Sequence, residues 1–350
     1  MSAPETVRWL PAWVDAARAG VVALVLAVLF VLSPVFLDPP GVAFVFLEVV
    51  VLFLIYALVV VGLNLQYGHA GLVNFGPVAF FAVGGYATAV LTADDPFGAV
   101  GFGLPWYVGL ASGVVVAVAL GVLVGVSSLR LRDDFLAIVT LAVAEIVHAL
   151  IVAFRDVTGG SVGLPNVPRP IADHTGGSGT AALASTILVF GAVVLLAYGV
   201  FRRISTAPYG RVLRAIRADE QVTQTLGKRT FRYKLMAFIY GSALAGLGGG
   251  LLVLYFGSAS ADFFTINVTV IVWIGMLIGG AGNDRGVLAG LAVIMGFQLL
   301  TRFLNQELPL ITQDQFASLR FVFVGLLLML IIRYRPQGLW GDAKRLGIDQ

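Results

Sequence analysis

Few side chains in this sequence have reactive chemistry, and most of those sit inside apolar stretches. Glu145 and His148 stand about one helical turn apart within Phe135–Ala153. A carboxylate inside a membrane-spanning stretch is costly and is by default a functional candidate. One Glu-x-x-His does not make a metal site, because a di-metal helical bundle takes two such motifs and two further carboxylates. Glu145 therefore reads first as an interhelical hydrogen-bonding brace and second as a group on a transport path. A second polar set lies in GLNLQYGHAGLVNFGPVAFFAVGGYATAVL, residues 62–91, where Asn64, Gln66, His69, Asn74 and Pro77 interrupt hydrocarbon-like sequence. A lipid-facing helix does not carry that load; a broken helix near the bilayer midplane does, where it lines a path or packs closely on a neighbour. Asn64, Gln66, Asn74 and Glu145 are thus the candidates to line or brace a translocation path.

The third set is basic. RRISTAPYGRVLRAIRADEQVTQTLGKRTFRYK, residues 202–234, holds nine of the 22 Lys and Arg residues against only Asp219 and Glu220, a local charge of +7. Thr206 as N-cap, Pro208 in the first turn and Gly227 as a stop predict a helix. Arg211, Arg214 and Arg217 recur every three residues and fall along one side of it. Two readings stand for such a helix: a surface on which a soluble motor pushes, or a juxtamembrane contact with anionic lipid.

Enzyme chemistry has no foothold. There is no G-x-x-x-x-G-K-[ST] phosphate loop, Gly227-Lys228-Arg229 being the nearest fragment, and no H-E-x-x-H or G-x-S-x-G. Gly279–Gly286, GGAGNDRG, lacks nucleotide-loop spacing and reads as a corner between helices. Three dispersed histidines, His69, His148 and His174, and no cysteine leave neither a metal set nor a thiol nucleophile. No catalytic residue, metal or bound cofactor is expected of this chain.

The elements that position these residues are membrane helices. Mean hydropathy is +0.96, and 12% of residues are charged against roughly 25% in an average chain. We expect an all-α integral membrane protein, a polytopic bundle of about ten transmembrane segments, some broken or short, in one transmembrane domain over residues 1–350. The spans read as Gly20–Leu37, Val42–Leu63, the broken Gly62–Leu91, Trp106–Ser128, Phe135–Ala153, Ala181–Phe201, Leu235–Phe256, Val268–Gly282, Val287–Arg302 and Phe316–Ile332. Val268–Gly282 is short for a span, and 70–91 and 268–282 carry the weakest span signal. Gly20–Leu37 lacks small-residue cleavage chemistry and reads as a retained span rather than a secretory signal. Gly246, Gly249 and Gly250 form a close-packing surface on their span. By the positive-inside rule the 202–234 loop and the 333–350 tail are cytoplasmic, as are both termini, and the Gly/Pro-rich loop 154–182 is external.

Four stretches, in order, also match a family pattern: GLNLQYGHAGLVNFGPVAFFAVGGY, LRLRDDFLAIVTLAVAEIV, TGGSVGLPNVP, and YGRVLRAIRADEQVTQTLGKRTFRYKLMAFIYGSALAGLGGGL. From about Val51 to Gly338 the chain resembles the permeases of branched-chain amino acid ABC importers, LivM type. The resemblance implies a multi-pass subunit of a prokaryotic plasma membrane working with a paralogous LivH-type permease. It also implies two ATP-binding subunits, which hold the ATP and Mg, and an extracytoplasmic substrate-binding protein delivering Leu, Ile or Val. It makes Ala218–Gly227 the coupling motif, with Arg211, Arg214, Arg217, Ala218, Asp219, Glu220 and Gly227 as the ATPase-coupling residues. Val222, Thr223 and Lys228 depart from that motif, and Ser161-Val162-Gly163 from the outer-loop pattern. Similar permeases carry urea or short-chain amides, which is the alternative cargo; a secondary transporter without ATPases is the alternative class, and a scaffold without transport is the third.

Overall fold

The computed structural model describes residues 39–94, 100–174 and 179–307, with a few positions between 322 and 339. These residues are helical, and the strand-like feature among them is one isolated bridge between Leu164 and Ala259. The long helices are α1 (Pro39–Leu63), α2 (Pro77–Thr92), α3 (Trp106–Ser128), α4 (Asp133–Ala153) and α5 (Thr180–Thr206). Two short helices follow, α6 (Pro208–Ala218) and α7 (Glu220–Thr225), and then α8 (Thr230–Phe256), α9 (Ile266–Gly279) and α10 (Asp284–Glu307). Single helical turns occupy Arg155–Thr158, Pro170–His174 and Ala261–Phe264.

Among the described residues, six stretches are long and apolar enough to cross a membrane: Phe44–His69, Trp106–Ser128, Asp133–Ala153, Thr180–Thr206, Thr230–Phe256 and Ala261–Gly279. Pro77–Thr92 is a shorter apolar helix, and α10 falls on the expected Val287–Arg302. Eight of the ten expected spans thus have a helix at their place. Gly20–Leu37 and nearly all of Phe316–Ile332 lie outside the described residues, as does most of the 333–350 tail.

The bundle is built around α8. In its most apolar window 72% of the residues are buried, against 28% to 39% for α1, α3, α4 and α5. Small residues make that centre possible. A Cβ on Gly246 would meet Ala117 of α3, one on Gly249 the Phe81 carbonyl of α2, and one on Gly250 Leu110 and Thr88. Gly84 faces Gly246, and Gly113 faces the Gly84 carbonyl, so three backbones approach one another there. The Thr88 hydroxyl, fully buried in that crossing, donates to the carbonyls of Gly84 (2.8 Å) and Gly109 (3.1 Å). The outer faces of α3, α4 and α5 are apolar and open, with Leu123, Ile138, Leu188 and Leu195 all more than half exposed. That pattern suits hydrocarbon or a neighbouring subunit.

The two ends of the bundle differ in charge. One end gathers Arg130, Arg132, Arg202, Arg203, α6, α7, the start of α8 and the α9–α10 corner. There Arg130 lies 5.4 Å above the Phe231 ring, and Leu339 donates its N–H to the Ile278 carbonyl at 2.8 Å. The opposite end is stitched by loops: Leu164 pairs with Ala259, Val100 donates to the Asp156 carbonyl (3.0 Å), and Arg169 donates to that of Phe256 (2.7 Å).

Candidate coupling site

The candidate site lies at the basic end, where α1 loses its regular winding. After Leu63 the chain forms a π-helical turn, Asn64–His69, in which the Ala70 N–H reaches back to the Leu65 carbonyl (3.2 Å) and that of Leu72 to the Gln66 carbonyl (2.9 Å). After a last i→i−4 bond from Gly71 to the Tyr67 carbonyl (3.1 Å), residues 72–76 run non-helically until Pro77 restarts the helix as α2. Non-helical backbone is tolerated at membrane depth only when buried in protein, and Ala70, Leu72 and Asn74 are each at most 2% exposed. The segment's polar groups are satisfied by side chains from distant elements. Asn74 Nδ2 donates to Gln66 Oε1 (2.8 Å), and its Oδ1 accepts from the Gly76 N–H (2.8 Å). Its carbonyl accepts from Trp273 Nε1 of α9 (2.9 Å). Gln66 Nε2 donates to the Phe238 carbonyl of α8 (3.0 Å), and Thr140 Oγ1 of α4 accepts from the Phe75 N–H (3.0 Å). Aromatic packing closes the set: Trp273 stacks on Phe75 and tilts against Tyr67, with centroids 4.8 and 4.9 Å apart.

A second cluster forms around Asp284, the first residue of α10. Asn283 Oδ1 takes over the capping of that helix, accepting from the N–H groups of Arg285 and Gly286 (3.2 and 3.1 Å). The Asp284 carboxylate is thereby left to hold other elements. Its Oδ1 meets Asn64 Nδ2 (3.2 Å) and His69 Nε2 (2.9 Å) of the π turn, and its Oδ2 accepts from Ser205 Oγ of α5 (3.1 Å). Negative charge at a helix N-terminus is favoured by the helix dipole. Asn64 also accepts, through Oδ1, the Gly282 N–H (2.8 Å). Two glycines allow this closeness: a Cβ on Gly68 would overlap Asn64 and the Gly282 nitrogen, and Gly282 itself has φ +91°.

The basic helix is tied directly to this knot. Pro208 stands at the first position of α6, Asp219 Oδ1 caps α7 by accepting from Val222 N–H (2.9 Å), and Gly227 closes the pair at φ +77°. The expected single helix is therefore two, broken at Asp219, whose extended backbone turns the chain. Thr206 is the last residue of α5 rather than a cap, its hydroxyl donating back to the Arg202 carbonyl (2.7 Å). The three arginines do not share one environment. Arg211 is exposed, Arg214 donates to the Ser205 carbonyl (3.0 Å), and Arg217 donates to the Gly68 carbonyl of the π turn. The Arg217 guanidinium also lies 5.5 Å over the Tyr67 ring. Its burial lowers its pKa from the ordinary guanidinium value, which still leaves it charged. Glu220 pairs with Lys234 of α8. Burial alone would raise the Glu220 pKa, but the Lys234 hydrogen bond, with help from Thr230 and Gln224, outweighs it and holds the carboxyl below its ordinary value.

The structure thus brings Asn64, Gln66, Asn74, Arg214 and Arg217 into one neighbourhood and leaves Glu145 out of it. Glu145 is exposed on the outer face of α4. Gly246, Gly249 and Gly250 belong to the α8 crossing, deeper in the bundle. Asp284 and Ser205 were not among the candidates read from the sequence, and His69 was noted in the polar set without being counted as one. Asp284 had one readable signal, an acid opening a helix just after an Asn that already caps it. Among the described residues no group of three His, Cys, Asp or Glu is arranged to hold a metal ion.

Comparison with known proteins gives this arrangement a family. Residues 45–332 match the family model described as "Branched-chain amino acid transport system / permease component". The chain is 30% identical over 312 residues to the LivM high-affinity branched-chain amino acid transport system permease protein of Salmonella typhimurium, covering 83% of this chain and 69% of that one. It is 28% identical over 321 residues to the probable LivM permease protein of Methanocaldococcus jannaschii, covering 81% and 90% respectively. The LivH permease protein of Escherichia coli is 24% identical over 295 residues, with 82% and 91% covered. No solved structure matches. With its model match spanning most of the sequence, the chain belongs to the branched-chain amino acid transport system permease family and is a multi-pass membrane protein.

Proposed function

We propose that this chain is one of two membrane-spanning subunits of an ATP-driven importer of leucine, isoleucine and valine, and that α6–α7 is its coupling element. The basic end faces the cytoplasm in this reading, as its cluster of Lys and Arg favours. Ten spans with both termini inside complete the topology, and the joining of the predicted inner segments at one end of the bundle supports it. A LivH-type permease is the second subunit, two ATP-binding subunits hold the ATP and Mg, and an external binding protein delivers the amino acid. This chain itself binds neither nucleotide nor metal and catalyses no reaction.

The observation that carries the proposal is the bond from Arg217 to the Gly68 carbonyl. It links a solvent-side helix to unwound backbone without an intermediate. Movement of α6 by an ATPase closing on α6–α7 therefore bears on the π turn, and through Asn64 and Asp284 on the α9–α10 corner. Asp219, Glu220 and Gly227 shape the surface that docks, while Arg214 and Arg217 transmit. Asn64, Gln66 and Asn74 brace the unwound segment whose rearrangement opens the path, as broken helices do in alternating-access transporters. The test is reconstitution of the four-component importer in liposomes. Leucine-loaded binding protein should stimulate ATP hydrolysis and drive radiolabelled leucine uptake that unlabelled isoleucine, and not urea, competes away. Hydrolysis indifferent to leucine would refute the cargo, and uptake without ATP would refute the class.

A further inference from the structure

A cavity of about 770 Å³ opens at the basic end between the last turn of α5, the start of α6, the α7–α8 link and the first three turns of α8. Among the described residues four cations line it, Arg203, Lys228, Arg229 and Arg232, and no carboxylate does. Among the described residues none of the four side-chain head groups has a hydrogen-bond or ion-pair partner, unlike their neighbours Arg214, Arg217 and Lys234. Like charges gathered without counter-ions repel, and the arrangement is relieved by an anion.

The remaining wall says what kind of anion. Arg232, Met236 and Tyr240 recur every four residues and form one stripe on α8. Met236 is 37% and Tyr240 41% exposed, so the stripe is open. It starts at the charged rim and runs roughly 12 Å along a helix that crosses the membrane. Tyr209 and Tyr233 form the floor, stacked at 5.5 Å, with the Tyr209 hydroxyl donating to the Tyr233 carbonyl (2.9 Å). A ligand matching this surface is anionic at the rim and apolar along the span. A soluble partner meets the first requirement but cannot follow the stripe into hydrocarbon.

We propose that this groove is a binding site for an anionic phospholipid, its phosphate held by Arg203, Lys228, Arg229 and Arg232 and one acyl chain lying along Met236 and Tyr240. The site lies beside the α6–α7 pair, so an occupied groove fixes the base of α8 from which that pair emerges. The inference rests on the basic end lying at a membrane surface and is independent of the cargo.

The experiment is native mass spectrometry of the full permease complex in mild detergent, titrated with phosphatidylglycerol or phosphatidylcholine. Phosphatidylglycerol adducts on this chain should exceed phosphatidylcholine adducts by about tenfold and fall as salt rises. A variant with Arg203, Lys228, Arg229 and Arg232 all changed to Gln should lose that preference, and one with all but Lys228 changed to Lys should largely keep it. A photoactivatable phosphatidylglycerol, used on the unaltered complex, should crosslink between Lys228 and Tyr240. Equal retention of the two lipids, or crosslinks scattered over α3 and α4 instead, would overturn the proposal. Displacement of the lipid by inorganic phosphate at equal concentration would make the groove a free-anion site, and loss of crosslinks only when ATP-binding subunits are present would make it a protein interface; either result also overturns it.

Discussion

Arg217 of α6 donates to the Gly68 carbonyl of the π turn while its guanidinium lies over Tyr67 of the same turn. One side chain thus holds the unwound segment by both a carbonyl and a ring. A charge-assisted bond of this kind contributes about 1.5–3 kcal/mol, roughly ten- to a hundredfold in any equilibrium it biases. Lysine offers no planar group to bond the carbonyl and cover the ring together. R217K and R217A should both reduce leucine uptake tenfold or more while ATP hydrolysis continues, because the motor still docks but no longer moves the turn. Parallel loss of hydrolysis and uptake would mean that Arg217 acts in docking instead.

Asp284 holds three elements at once, and its substitutions separate charge from bonding. D284A strands Asn64 Nδ2 and His69 Nε2, each a buried donor costing about 1–3 kcal/mol when unpaired, while Ser205 Oγ keeps the Arg202 carbonyl as an acceptor (3.2 Å). D284N keeps an acceptor but loses the charge favoured at the α10 N-terminus. Thermal unfolding of the purified chain should therefore rank wild type above D284N and D284N well above D284A. An unchanged midpoint for D284A would remove Asp284 from the core of the site.

How much of this was legible in the sequence follows from which forces act locally. Trp106–Ser128 was read to the residue because apolar length alone sets a span. The break after Leu63 was legible because Asn64, Gln66, Asn74 and Pro77 cannot face lipid. Their partners were not, since Asn64 and Asp284 stand 220 residues apart and Asn74 and Trp273 199. Glu145 stood among the candidates because its neighbours in sequence are apolar; the fold turns it to the outer face of α4, which one-dimensional patterning cannot foresee. The split of α6 from α7 at Asp219 was hidden for a simpler reason: Asp-Glu reads equally as helix interior and as helix start.

Glycine substitutions should discriminate sharply by position. On Gly249 a Cβ would sit on the Phe81 carbonyl, where backbone cannot yield, whereas on Gly199 of α5 it meets nothing within 4 Å. G249A should destabilise by about 1–3 kcal/mol through separation of α8 from α2. G199A should be neutral or stabilising by up to about 1 kcal/mol from helix propensity. Thermal unfolding in the same detergent compares the two; equal shifts would deny α8 its place at the centre.

The absence of cysteine makes sidedness directly measurable. Val162, almost fully exposed on the loop end, and Thr225, exposed on α7, serve as single-cysteine positions. In intact cells a membrane-impermeant maleimide should label V162C, and should label T225C only after permeabilisation. The reverse pattern would invert the proposed topology.

Glu220 gives the coupling element a pH dependence with a defined sign. Its carboxyl is held below its ordinary value in the fold, against burial, by Lys234 first and then Thr230 and Gln224. A depressed carboxyl pKa contributes stability that is fully present above the unfolded-state value and is lost as pH falls through the folded one. About a third of the side chain is exposed, so screening keeps the effect modest. A nitroxide on T225C should report an immobile α7 at neutral pH that loosens only below the usual glutamate range of about 4.3. In E220Q the same label should be mobile at neutral pH and insensitive to acid. If unaltered α7 stays immobile through the acid range, the Glu220–Lys234 bond is not what fastens it to α8.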